Sequence, residues 1–156
     1  MQAISPADLL VDVENPRLAQ PNVGQREAMR RLASELQQKL LTLAKDILRH
    51  GLSPGELPFV LPFPDNAKNY IMLEGNRRLI ALKALENPEL FNGAVDAVVL
   101  RELRELSKTY QESPIQHVQC MVVRKREDAD HWIELKHTGE NGGAGIVPWD
   151  SDDTAR

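Results

Sequence analysis

The chain has 156 residues, 42% hydrophobic and 27% charged, an ordinary balance for one soluble domain with a real core. Its single cysteine, Cys120, excludes an internal disulfide and a cysteine-built zinc site and fits a cytoplasmic protein, and no apolar run is long enough to span a bilayer. The formal net charge of −4 argues against a general polyanion binder, and it is unevenly placed: residues 127–156 carry −6, which leaves +2 for residues 1–126.

Met1 to Leu10 reads as a short strand and a turn, with Ser5-Pro6 as turn chemistry and Leu9, Leu10 and Val11 expected in the core. Asn15-Pro16 ends any regular element, since proline pushes the residue before it out of the helical region, and Arg17 follows on a loop. Between Gln25 and His50, Met29, Leu32, Leu36, Leu40, Leu43 and Ile47 recur at helical steps, a pattern expected to break once and to stop at Gly51. The arginines near its start, Arg26, Arg30 and Arg31, are expected to be solvated rather than to form the edge of a basic groove. Leu57 to Phe63, with prolines at each end, predicts a strand near a sheet edge. A turn at Pro64-Asp65-Asn66 returns the chain to an apolar run, Tyr70 to Leu73, as a hairpin.

Gly75 breaks that run, and Asn76 is expected to cap a helix. Leu79, Leu82 and Leu85 follow at spacing three and define one apolar face. Arg77 and Arg78 fall in the first turn, where the helix dipole is already positive and prefers an acid. Two readings stand open: the arginines bind an anion such as phosphate, or they are solvated or paired with Glu74 and Glu86. Asn87-Pro88 ends this helix, and Gly93 marks a turn. Ala94 to Leu100 predicts a strand, Arg101 to Tyr110 a charged helix, and Val118 to Val123 a further strand that buries Cys120. Arg126 to His137 predicts a helix whose Trp132 and Ile133 pack firmly. Four glycines then fall between Gly139 and Gly145, without the Gly-Lys-Ser/Thr ending of a Walker loop. The segment from His137 to Gly145 is expected to be mobile until a ligand orders it.

Glu74-Gly75-Asn76-Arg77-Arg78 before an apolar helix resembles the Gly-x-Arg-Arg box of the ParB/sulfiredoxin-like superfamily. Ala3-Ile4-Ser5-Pro6-Ala7-Asp8-Leu9-Leu10, followed by Glu14-Asn15-Pro16-Arg17, is similar to the opening of ParB N-terminal domains, and the two boxes stand in the family's order. The resemblance spans residues 3–137 and implies an α+β fold, a small mixed sheet packed with helices. It implies a nucleotide-binding domain over residues 1–147, with 148–156 the start of a following segment.

The same resemblance implies CTP or ATP bound with Mg²⁺, in a nucleotide-gated module of a DNA-associated protein. Arg17, Gly75, Asn76, Arg77 and Arg78 would then contact phosphate, Glu14 and Glu74 would serve as catalytic or metal-holding carboxylates, and His137 and Thr138 would stand in a third nucleotide box, though the usual Glu-Asn-x-x-Arg form of that box is missing. A slow NTPase activity, a possible homodimer and DNA contact beyond residue 156 belong to the same expectation. Alternatives on this fold are a small-molecule kinase, a ParB-like nuclease or a non-catalytic interaction domain. Sulfiredoxin chemistry needs a cysteine where Asn76 stands.

Overall fold

Five short apolar runs pair into one mixed sheet, and helices pack against it and against one another. The computed structural model describes residues 1–14, 24–53, 55, 57–64, 66 and 68–138. They fall into two units, Met1–Val122 and a second that begins at Val123. The strands are β1 (Gln2–Ile4), β2 (Leu9–Val11), β3 (Phe59–Pro62), β4 (Tyr70–Met72) and β5 (Val118–Val122). The first unit also holds α1 (Gln25–Leu36), α2 (Gln38–His50), α3 (Asn76–Glu86) and α4 (Ala97–Tyr110); α5 (Glu127–Thr138) belongs to the second. This is an α+β architecture.

The strand order is β1-β5-β3-β4-β2. β1 runs antiparallel to β5, β5 parallel to β3, β3 antiparallel to β4, and β4 parallel to β2. The expected hairpin is therefore present, but β3 lies at the centre of the sheet and not near its edge. Its proline is tolerated there for a geometric reason. Leu73 N–H donates to Phe59 O and Phe63 N–H to Asn69 O, so the odd-numbered residues of β3 bond toward β4. Pro62 faces the other neighbour, β5, whose pairing with β3 stops at Val60↔Val122. The missing N–H falls where no ladder partner runs.

β2 is a strand in its own right at the opposite edge. Its outward backbone is closed by a side chain: the Gln25 amide accepts from Val11 N–H at 2.9 Å and donates to Val11 O at 2.8 Å. That blunts an edge that would otherwise be open to another strand.

Leu9, Val11, Val60, Met72, Val118 and Cys120 point from the sheet into the core, as period-two alternation requires. α3 lies deepest. Leu79, Ile80, Ala81, Leu82, Ala84 and Leu85 are all buried, so the helix is covered on nearly every side and not along one face. It packs against α1, α2, α4 and β2.

The long helical pattern breaks at Gln37, which has φ 46° and ψ −113°. The Gln37 side chain holds the corner: Oε1 accepts from Asp96 N–H at 3.0 Å and Nε2 donates to Ser34 O at 2.9 Å. α2 ends at Gly51, with φ 73°, as expected.

Three other expectations are corrected. The strand at Ala94 to Leu100 is instead the turn into α4 and its first residues. Val95, Val99, Leu103 and Tyr110 are buried at helical spacing while Val98 turns to solvent; the low helix preference of valine costs only tenths of a kcal/mol, less than burying that stripe gains. Arg30 is not solvated: its Nη1 donates to the carbonyls of Leu90 and Asn92, each at 2.8 Å, and so fixes the Gly93 turn. Trp132 is 56% exposed and not firmly packed. Among the described residues no helix is long and apolar enough to cross a membrane.

Candidate functional site

The parallel strands β2 and β4 end side by side, at Val11↔Met72. Asp12 follows one end; Leu73, Glu74 and Gly75 follow the other and lead into α3. In sheets with parallel neighbours, strand ends that meet a helix start form the crevice where ligands bind.

Asn76 stitches the two ends together. Its Oδ1 accepts from Asp12 N–H at 3.1 Å and its Nδ2 donates to Met72 O at 2.9 Å, with the residue 6% exposed. This corrects the expected helix cap. The N-cap is Gly75, in a left-handed conformation with φ 96° and ψ 17°, and no side chain caps the helix. Gly75 O accepts from Leu79 N–H at 3.0 Å, the first bond of α3. The N–H groups of Asn76, Arg77 and Arg78 precede that bond and make no intrahelical one.

Arg77 and Arg78 are both partly buried in this first turn. Arg78 reaches α2, where its Nη1 lies 3.3 Å from Asp46 Oδ2. Of the two open readings, pairing therefore holds for Arg78, with Asp46 as its acid. Such a partly exposed pair is worth about 0–1 kcal/mol, which a phosphate could outcompete. Glu74 is partly buried beside Gly75. Glu14 is exposed, and its N–H donates to Asp12 Oδ1 at 3.1 Å, which folds the segment after β2 into a tight turn.

Gly75, Asn76, Arg77, Arg78 and Glu74 thus share one turn, and Glu14 lies in the turn that Asn76 holds through Asp12. Arg17 lies outside the described residues, as does the glycine-rich stretch from Gly139 to Gly145. His137 and Thr138 close α5, in the second unit.

Asp12 is the residue that the sequence reading missed. It is 4% exposed, so it is an almost fully buried acidic residue directly after β2. Only its position directly after an apolar run hinted at it.

The perturbed groups of α3 lie at its other end. Burial pushes the Lys83 amine down, against the opposing charges of Glu86 and Asp8, and Nζ donates to Pro6 O at 2.7 Å. Burial likewise lifts the Glu86 carboxyl, with Lys83 opposing. Cys120 is 0% exposed within β5, and burial raises its thiol to about 11. That is the behaviour of a core cysteine and not of a nucleophile. Among the described residues, no group of three or more His, Cys, Asp or Glu side chains is arranged to hold a metal ion.

No family model, curated protein or solved structure matches the chain.

Proposed function

We propose that this chain is a nucleotide-binding module of the ParB/sulfiredoxin-like kind, taking CTP or ATP with Mg²⁺ at the turn between β4 and α3. The supporting observation is the helix start itself. An uncapped α3 begins at a left-handed glycine, carries two arginines where its dipole already favours an anion, and faces the ends of two parallel strands.

A triphosphate fits this chemistry. Gly75 has no Cβ to hold a phosphate away from the backbone, the N–H groups of Arg77 and Arg78 are donors, and both guanidinium groups supply charge. Glu74, Glu14 and the newly recognised Asp12 are the carboxylates nearest in the chain to hold Mg²⁺ through water or to orient an attacking water in slow hydrolysis. The module would act as a nucleotide gate within a DNA-associated protein. Sulfiredoxin chemistry is disfavoured because Cys120 is enclosed in the core and Asn76 occupies the turn.

Thermal melting with each of four nucleoside triphosphates and Mg²⁺ tests this. A nucleotide at 100 times its Kd should contribute about 2.7 kcal/mol, or roughly 5–11 °C for a chain of this size. Arg78→Ala should weaken binding by about 10- to 100-fold, the loss of one charge-assisted contact. Absence of any shift with all four nucleotides would remove the proposal, and unchanged affinity in Arg78→Ala would remove Arg78 from the site.

A further inference from the structure

α2 carries the bases Lys39, Lys45 and Arg49 and a single acid, Asp46. That acid is exposed, and it stands where it meets Arg78 of α3, with Oδ2 3.3 Å from Nη1. We propose that Asp46 gates the nucleotide site: it holds Arg78 in the free protein, and a triphosphate must take the arginine from it. The proposal rests on the nucleotide reading of the Gly75 turn and adds what sets the affinity of that site.

Three features make the pair exchangeable. First, it is single and long. Charge-assisted N–H···O bonds lie at about 2.7–2.9 Å, and a guanidinium often makes two of them in parallel. Here one contact stands at 3.3 Å, so Asp46 leaves the other guanidinium donors unengaged. Second, both side chains keep water, at 32% and 47% exposure, so parting them strands neither charge in an apolar place. Third, each partner has another position to take. Arg49 lies three residues after Asp46, within reach on the same side of α2. Arg78 stands in the first turn of α3, where the backbone N–H groups make no intrahelical bond and an arriving anion gains from them.

The sign of the effect follows from charge. A phosphate accepts two parallel guanidinium N–H bonds and brings more negative charge than one carboxylate, so it wins Arg78 when it arrives. Until then Asp46 opposes it twice, by neutralising the arginine and by repelling the anion. The exchange also frees the Asp46 carboxylate, so occupancy of the turn before α3 is reported on α2, a neighbouring helix. A carboxylate that merely oriented Arg78 for phosphate would have the opposite effect on affinity.

The test is calorimetric titration of the full chain with CTP and with ATP, each with Mg²⁺. Asp46→Asn is expected to tighten the nucleotide that the parent binds by about three- to fivefold, the range of an exposed ion pair. Asp46→Glu, which keeps the charge, should stay within about twofold of the parent, and in an Arg78→Ala background Asp46→Asn should change affinity by less than about 1.5-fold. Without nucleotide, Asp46→Asn should melt within about 4 °C of the parent. Unchanged or weaker binding in Asp46→Asn would overturn the gate while leaving the nucleotide reading in place. The same tightening in the Arg78→Ala background would also overturn it, since Asp46 would then act by general repulsion, and so would a larger fall in Tm, the mark of a structural clamp. No binding of either nucleotide by the parent or any variant would remove both the gate and the reading on which it rests.

Discussion

Replacing Asn76 with alanine removes both hydrogen bonds that join the end of β2 to the end of β4. Asp12 N–H loses its acceptor at 3.1 Å and Met72 C=O its donor at 2.9 Å, in a place where Asn76 itself is only 6% exposed. A buried backbone group left without a partner costs about 1–3 kcal/mol. Water entering from the partly exposed Glu74–Gly75 side recovers some of that loss, and alanine is the better helix former by roughly half a kcal/mol. The expected net destabilisation is about 2–4 kcal/mol, a large part of the roughly 5–15 kcal/mol that holds an ordinary domain together. For a chain of this size that corresponds to a fall in Tm of roughly 5–15 °C. Urea unfolding followed by circular dichroism measures it directly, and an unchanged m value would show that the native and unfolded states kept their compactness. A loss below about 0.5 kcal/mol would refute the reasoning, because it would mean that the Asp12 turn holds its place without the asparagine.

Gln37→Ala is expected to cost about 1–2 kcal/mol, since the strained corner persists while the bond to Asp96 N–H is lost; Gln37→Gly should cost about 1 kcal/mol less, because glycine adopts φ 46° freely. Urea midpoints of the two variants check the order. Gly75→Ala should lose about 1–2 kcal/mol through backbone strain at φ 96°, not through crowding, because the added Cβ would meet Met72 Sδ at 3.4 Å and Pro58 Cβ at 3.5 Å, ordinary contact distances. A Tm for that variant equal to the parent's would contradict it. Cys120 makes stability depend on alkaline pH: burial raises its thiol from 9.0 to about 11, so the unfolded chain releases this proton first, and stability present below pH 9 is lost as pH climbs toward 11. Cys120→Ala should flatten the fall in that window and lower stability at pH 7 through a small cavity.

The helices from Gln25 to His50 were legible because leucines and isoleucine at three- and four-residue steps leave one interpretation, and the break at Gln37 cost only the exact position. The hairpin from Phe59 to Met72 was legible from its turn residues. Its central place was not, since what makes Pro62 harmless is the point at which β5 stops pairing, and that partner comes from the far end of the chain. Val95, Val98 and Val99 misled for a local reason: β-branched residues suggest a strand, while the burial of Leu103 and Tyr110 in line with Val99 decides for a helix. At the candidate site, Gly75 and the two arginines stood out as a glycine break and an electrostatic mismatch. The true work of Asn76 did not, because its partners are the backbones of Asp12 and Met72, and backbone groups carry no signature in sequence. Arg30 and Gln25 were unreadable for the same reason.

The pairing of β1 with β5 has a consequence for how the molecule is made. Ile4 lies opposite Val118, more than a hundred residues later. On the ribosome, β2, β3, β4 and α3 are all available once residue 86 has emerged, so the half of the sheet that carries the Gly75 turn can assemble early. β1 is synthesised before the other strands and waits longest, at about 5–20 residues per second, for the strand that completes it. Closing so long a loop is slow, and until β5 is made and pairs, β3 keeps one side open. Aggregation during synthesis should therefore begin at β3, and variants that delay Val118–Val122 should lower yield more than their equilibrium stability suggests.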